Sequence, residues 1–160
     1  MRHLFLFLIA LLLVSCAART AQTPQVSLLV LSDSTGKELF SERLEADQQF
    51  AVRYIHSVAK SPVEDWFSIE GDTIFLEKTV YQDFGAGLPH EAGEGQVMDF
   101  GDGHISLSGF HRPLPTFDLR VGRIAKHTLL LEQEGGVREI PLNTLVRPGK
   151  AITFSARAIQ

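Results

Sequence analysis

Apolar and polar side chains alternate with a period of two along most of this chain, which is the signature of half-buried β-strands. Between Phe50 and Val58 the residues Phe50, Val52, Tyr54, His56 and Val58 share one face, and Ala51, Arg53, Ile55 and Ser57 share the other. The first set is the more apolar, so it faces the core and takes His56 with it. Val63–Glu70 repeats the pattern, with Val63, Asp65, Phe67 and Ile69 set against Glu64, Trp66, Ser68 and Glu70. Thr73–Tyr81 is rich in β-branched and aromatic residues and reads as a strand. Further strands are expected at Val26–Leu31, Glu38–Leu44, His104–Phe110, Phe117–Val121, His127–Glu132, Val137–Ile140 and Ala151–Arg157, with a short one near Gln96–Phe100. Turn signals separate them. Ser32–Lys37 joins the first two into a hairpin, Lys60-Ser61-Pro62 interrupts the chain after Val58, and Gly135-Gly136 makes a second hairpin. His111–Pro115 reads as a proline-stiffened extended link, and His90–Gly103 as a long irregular stretch. No stripe with helical spacing is present. The pattern predicts a single all-β domain, a β-sandwich or squat barrel of short, mainly antiparallel strands, over residues 26–160.

The first residues follow a different logic. Arg2 and His3 precede an unbroken apolar run of 11 residues, Leu4–Val14. A bilayer span needs about 20 apolar residues, so this run has the length of a secretory signal instead. It ends in Leu13-Val14-Ser15-Cys16, which resembles the lipobox of bacterial lipoproteins. That resemblance implies lipidation of Cys16, removal of residues 1–15 and a membrane anchor made of acyl chains. The alternative is an ordinary cleavage near Ala17 or Ala18 and a soluble periplasmic protein. Residues 16–25 are small and polar and read as a flexible tether. Cys16 is the only cysteine, so the folded part contains neither a disulfide nor a thiol nucleophile.

Formal net charge is −4, and removing Arg2 with the signal makes the chain more acidic still. An acidic domain without a basic block is a poor nucleic-acid binder. The side chains best able to do chemistry crowd into Phe50–Phe67: Arg53, Tyr54, His56, Ser57, Ser61, Glu64 and Trp66.

Arg53-Tyr54-Ile55-His56-Ser57-Val58, continuing through Lys60-Ser61-Pro62-Val63-Glu64-Asp65 to Phe67, resembles the signature of the bacterial family called domain of unknown function 1850. Phe84-Gly85-Ala86-Gly87-Leu88-Pro89, and Val121-Gly122 followed by His127, resemble the rest of that pattern. The family has no established activity. The resemblance implies an exported or membrane-anchored protein, often encoded beside TRAP-type transporters of the TAXI subclass, and so an accessory protein of solute uptake.

The residues themselves allow several chemistries. Arg53 is suited to a carboxylate, with His56 and Ser57 as further donors and Glu64 orienting His56, a set that fits a small organic acid. The bland alternative is a structural network fixing the hairpin. A serine hydrolase is disfavoured: His56 and Ser57 point to opposite faces, so Ser57 needs another histidine such as His127, and no G-x-S-x-G elbow exists. No metal or other cofactor is expected, because His56, His90, His104, His111 and His127 lack ligand spacing; a distant set of His56, His127 and Glu64 has no local support. Gly85 and Gly87 suit an anion cradle, a tight connection or a lid over His56. Trp66 is either a partner anchor or a cover for the sandwich edge. The expectation is a non-enzymatic accessory protein that binds a transporter subunit or its small carboxylate cargo, with Arg53, Tyr54, His56, Ser57, Ser61, Glu64, Trp66, Gly85, Gly87 and His127 as its site.

Overall fold

The computed structural model describes residues 26–85 and 87–159. The expected signal, Cys16 and the tether lie outside them, as does Ala86. Eleven strands follow in order: β1 Val26–Asp33, β2 Glu38–Leu44, β3 Phe50–Ile55, β4 Pro62–Glu70, β5 Thr73–Tyr81, β6 Val97–Gly101, β7 His104–Leu114, β8 Thr116–Arg120, β9 Thr128–Gln133, β10 Gly136–Pro141 and β11 Ala151–Ile159. One turn of 3-10 helix, Leu142–Thr144, precedes the last strand. The strands form a β-sandwich of two antiparallel sheets, not a closed barrel. One sheet has the order β2-β1-β11-β8, the other β10-β9-β3-β4-β5-β7-β6.

Four phenylalanines lock the sheets together. Phe50 (β3) stacks on Phe67 (β4) with ring centroids 5.0 Å apart. Phe67 stacks on Phe117 (β8) at 5.1 Å, and Phe117 on Phe154 (β11) at 4.6 Å. Phe154 and Phe50 close the ring at 6.3 Å. Each pair adds about 0.5–1.5 kcal/mol to simple burial. Leu29, Leu31, Leu129, Leu131 and Ile152 fill in around them, all fully buried. A smaller cluster of Val63, Tyr81, Leu88 and Ile105, with Tyr54 and Met98 against it, lies toward the other end of the seven-stranded sheet.

Two local expectations are corrected. The strand predicted over Phe50–Val58 stops at Ile55, because the chain closes a turn: His56 N–H donates to Ser61 O at 2.9 Å and Lys60 N–H to His56 O at 3.0 Å. The link predicted over His111–Pro115 is mostly strand. β7 continues through a bulge at Gly109 and pairs with β5, Phe75 facing Pro113. Proline is tolerated there because β6 covers only His104–Ser108, which leaves the far half of β7 an edge. Gly109 has φ +85°, and a Cβ on it would lie 2.6 Å from Gly95 O, so this position requires glycine twice over.

Candidate functional site

Three connections meet at one end of the seven-stranded sheet: the β3–β4 turn (residues 56–61), the start of the β5–β6 loop (82–89) and the β8–β9 loop (121–127). Register places them together, since Ile55 pairs with Pro62, Val63 with Tyr81 and Arg53 with Thr128. Direct contacts join them. Ile55 N–H donates to Ala125 O at 2.7 Å. A Cβ on the buried Gly85 would stand 3.2 Å from both Cε1 and Nδ1 of His56 and 3.0 Å from Ala59 Cβ. Glycine at 85 therefore lets one loop lie flush on the histidine of another. Gly87 serves differently: its φ is +89° and nothing lies within 4 Å of its added Cβ. The loop is pinned further on by Tyr81 Oη, which donates to Pro89 O at 2.7 Å.

The two histidines of this end use the same device. His56 Nδ1 accepts Ala59 N–H at 3.1 Å, and His127 Nδ1 accepts Gly122 N–H at 3.1 Å. An Nδ1 that accepts leaves the neutral ring's proton on Nε2. Both rings thus fasten their own loops. His127 also packs at 5.9 Å from the Tyr54 ring, and burial lowers its pKa. Burial, with the Asp65 charge second, pushes the Tyr54 phenol up to about 12. Ser57 is exposed, whereas Ser61 is 7% exposed and its Oγ has no hydrogen-bond partner among the described residues. Around these groups the exposed side chains are mostly apolar or basic, with one acid, Asp83, in the 82–89 loop. Val58 and Ile124 are 62% and 76% exposed and Phe84 46%. Lys60, Arg123 and Lys126 are exposed and form no ion pair among the described residues.

Arg53, Glu64 and Trp66 lie elsewhere, on the outer face of the same sheet. Alternation sends Tyr54 and Val63 inward and their neighbours Arg53 and Glu64 outward, where they face each other across β3 and β4. Arg53 Nη1 is 3.9 Å from Glu64 Oε1, and Nη2 bonds Glu139 of β10. Glu64 Oε2 accepts the Trp66 indole N–H at 3.1 Å. The predicted set therefore divides in two. Tyr54, His56, Ser57, Ser61, Gly85, Gly87 and His127 gather at the loop end, and Arg53, Glu64 and Trp66 form a ladder on the outer face. Glu64 does not orient His56, because strand alternation separates them and Glu64 already holds the indole.

Sequence reasoning misses Glu139 and Lys78, and it weighs Asp65 only as a possible acid of a hydrolase and not as a buried group. Asp65 faces inward opposite Thr79, between the two apolar clusters. Burial raises its pKa, while a Thr79 hydrogen bond and the Arg112 charge oppose the shift. Its place among Val63, Phe67 and Ile69 was the available signal, an acid in the apolar phase of a strand. Glu139 and Lys78 gave no such signal.

The profile of the family described as Domain of unknown function (DUF1850) matches residues 50–136. The chain belongs to that family. The DUF1850 match contains all three converging loops and the Arg53–Glu64–Trp66 part of the ladder, while Glu139 lies beyond it. No curated protein and no solved structure gives a significant match. Among the described residues no helix is long and apolar enough to cross a membrane, and no group of three His, Cys, Asp or Glu is placed to hold a metal ion.

Proposed function

We propose that this DUF1850 chain is an exported, lipid-anchored accessory protein without catalytic chemistry, which docks a component of a TRAP-type transporter through its loop end. The observation that carries the reading is the convergence of three loops, two of which present Val58 and Ile124 to solvent together with Lys60, Arg123 and Lys126, while Phe84 of the third packs on His90 and Phe100. Exposed apolar side chains with three cations against the single acid Asp83 in the same loops, on a chain of net negative charge, suit an apolar protein patch with an acidic rim. The loops are held by backbone bonds to His56 and His127, so the surface is organised before the partner arrives. Docking is favoured over capture of cargo at Arg53, because two carboxylates already engage that guanidinium. The position of the first described strand agrees with an anchor. Ser27 Oγ donates to Gly71 O, in the β4–β5 turn, so Val26 lies at the end remote from the loops. A lipid at Cys16 would then hold the far end and leave the loops facing the periplasm.

The test measures binding of the mature chain to the solute-binding subunit of a TRAP transporter by calorimetry. Binding is expected, and Val58→Asp with Ile124→Asp should weaken it at least about tenfold while leaving the fold intact. Absence of binding, or binding indifferent to both changes, overturns the reading and leaves a structural envelope lipoprotein. Retention in membranes that Cys16→Ser abolishes checks the anchor separately.

A further inference from the structure

The outer face of the seven-stranded sheet carries a cleft of about 350 Å³, within the range of small-molecule sites. Its floor is built by alternation: Glu64 and Trp66 from β4 stand opposite Val80 and Lys78 from β5. Gln82 and His104 line it as well. The indole is fixed in its plane. Its N–H is held by Glu64 at 3.1 Å, Glu64 faces Arg53 at 3.9 Å, and Arg53 is tied to Glu139. Lys78 Nζ lies 4.8 Å from the ring centroid and has no carboxylate partner among the described residues. A cation already occupies the ring face, so a cationic ligand would meet repulsion there. Arg53 answers two carboxylates, Glu64 and Glu139, so the cleft holds one carboxylate turned to the indole N–H and one ammonium, Lys78, that no carboxylate contacts among the described residues.

We infer that this cleft binds a small monocarboxylate with a short aliphatic body. The carboxylate pairs with Lys78, and the hydrocarbon lies on Trp66 and Val80 toward Gln82 and His104 at the cleft's other end. Arg53 and Glu64 are then positioning residues for the indole, not ligands for the acid. The inference stands apart from the docking reading, since none of Val58, Lys60, Phe84, Arg123, Ile124 and Lys126 lines the cleft, which meets the loops only at Gln82.

Trp66 is the only tryptophan in the chain, so its fluorescence reports on this cleft alone. The mature chain is titrated with hexanoate, and in parallel with hexanamide and hexylamine, which keep the chain length and change the charge. A saturable change is expected with hexanoate by about 10 mM, with little or none for the other two. Lys78→Met should weaken the response at least about tenfold with the thermal midpoint retained, and Lys78→Arg should preserve it. Val58→Asp with Ile124→Asp should leave it unchanged, so failure here and failure of docking are told apart. An equal response to hexanamide, no saturation, or indifference to Lys78→Met overturns the inference.

Discussion

Gly85→Ala tests whether the loop end is organised by contact between its loops. Its φ lies outside the left-handed region, so alanine can adopt the backbone, and the change should gain about 0.4–1 kcal/mol by stiffening the unfolded chain. Against this stands the new methyl, which would sit 3.0 Å from Ala59 Cβ and 3.2 Å from Cε1 and Nδ1 of His56. These distances are shorter than ordinary van der Waals contact, and the imidazole cannot simply swing aside, because its Nδ1 is bound to Ala59 N–H. Overpacking of this kind costs about 1–3 kcal/mol. The net expectation is a loss of roughly 1–2 kcal/mol in urea unfolding of the mature chain, followed by Trp66 fluorescence. His56→Ala removes two of the three close contacts. In that background the cost of Gly85→Ala should fall by about 1 kcal/mol, a coupling typical of touching residues. A stabilising Gly85→Ala, or costs that simply add, would refute the argument that this glycine exists to admit the histidine.

Two further outcomes concern the titrating groups. The raised pKa of Asp65 means that the folded state binds its proton more tightly than the unfolded state, so Asp65 detracts from stability above that raised pKa. Asp65→Asn should accordingly raise the thermal midpoint at neutral pH and, by removing the neighbouring charge, let the Tyr54 phenol ionise at a lower pH in 13C-tyrosine NMR. A lower midpoint would show that the Arg112 and Thr79 interactions outweigh desolvation. For His127 the folded pKa lies below the ordinary 6.5, so stability is full above 6.5 and declines as pH falls toward the folded value. His127→Gln should flatten that acid limb in denaturation measured from neutral pH downward; an unchanged limb would assign it to other groups.

Much of the fold was legible because strand alternation is local. Phe50, Val52 and Tyr54 reported their face directly, and Gly135-Gly136 marked the β9–β10 hairpin. The end of β3 was misjudged because Ser57 and Val58 continue the alternation while the backbone turns, closed by Lys60 at a positive φ of 59° that lysine rarely adopts. Pro113 argues locally against a strand, and only the topology makes that half of β7 an edge. The candidate site was less legible for a related reason. Its residues cluster in sequence, yet their partners come from elsewhere: Glu139 lies 86 positions beyond Arg53, and Ala125 reaches Ile55 only because β9 pairs with β3. Alternation puts Arg53 and His56 on opposite faces but also puts Ser57 with Arg53; the division into ladder and loops comes from the turn that closes after Ile55.

The four stacked phenylalanines also set the limits within which the molecule can be cut. Phe154, its own strand β11 and the neighbouring strand β1 lie outside residues 50–136, the stretch by which the family is recognised, while β8 on the other side of β11 lies within it. A fragment trimmed to that stretch would carry Phe50, Phe67 and Phe117 with one side of their stack bared to water. Such a piece should associate or aggregate instead of folding alone, so the evolutionary unit read from the profile is smaller than the cooperative one.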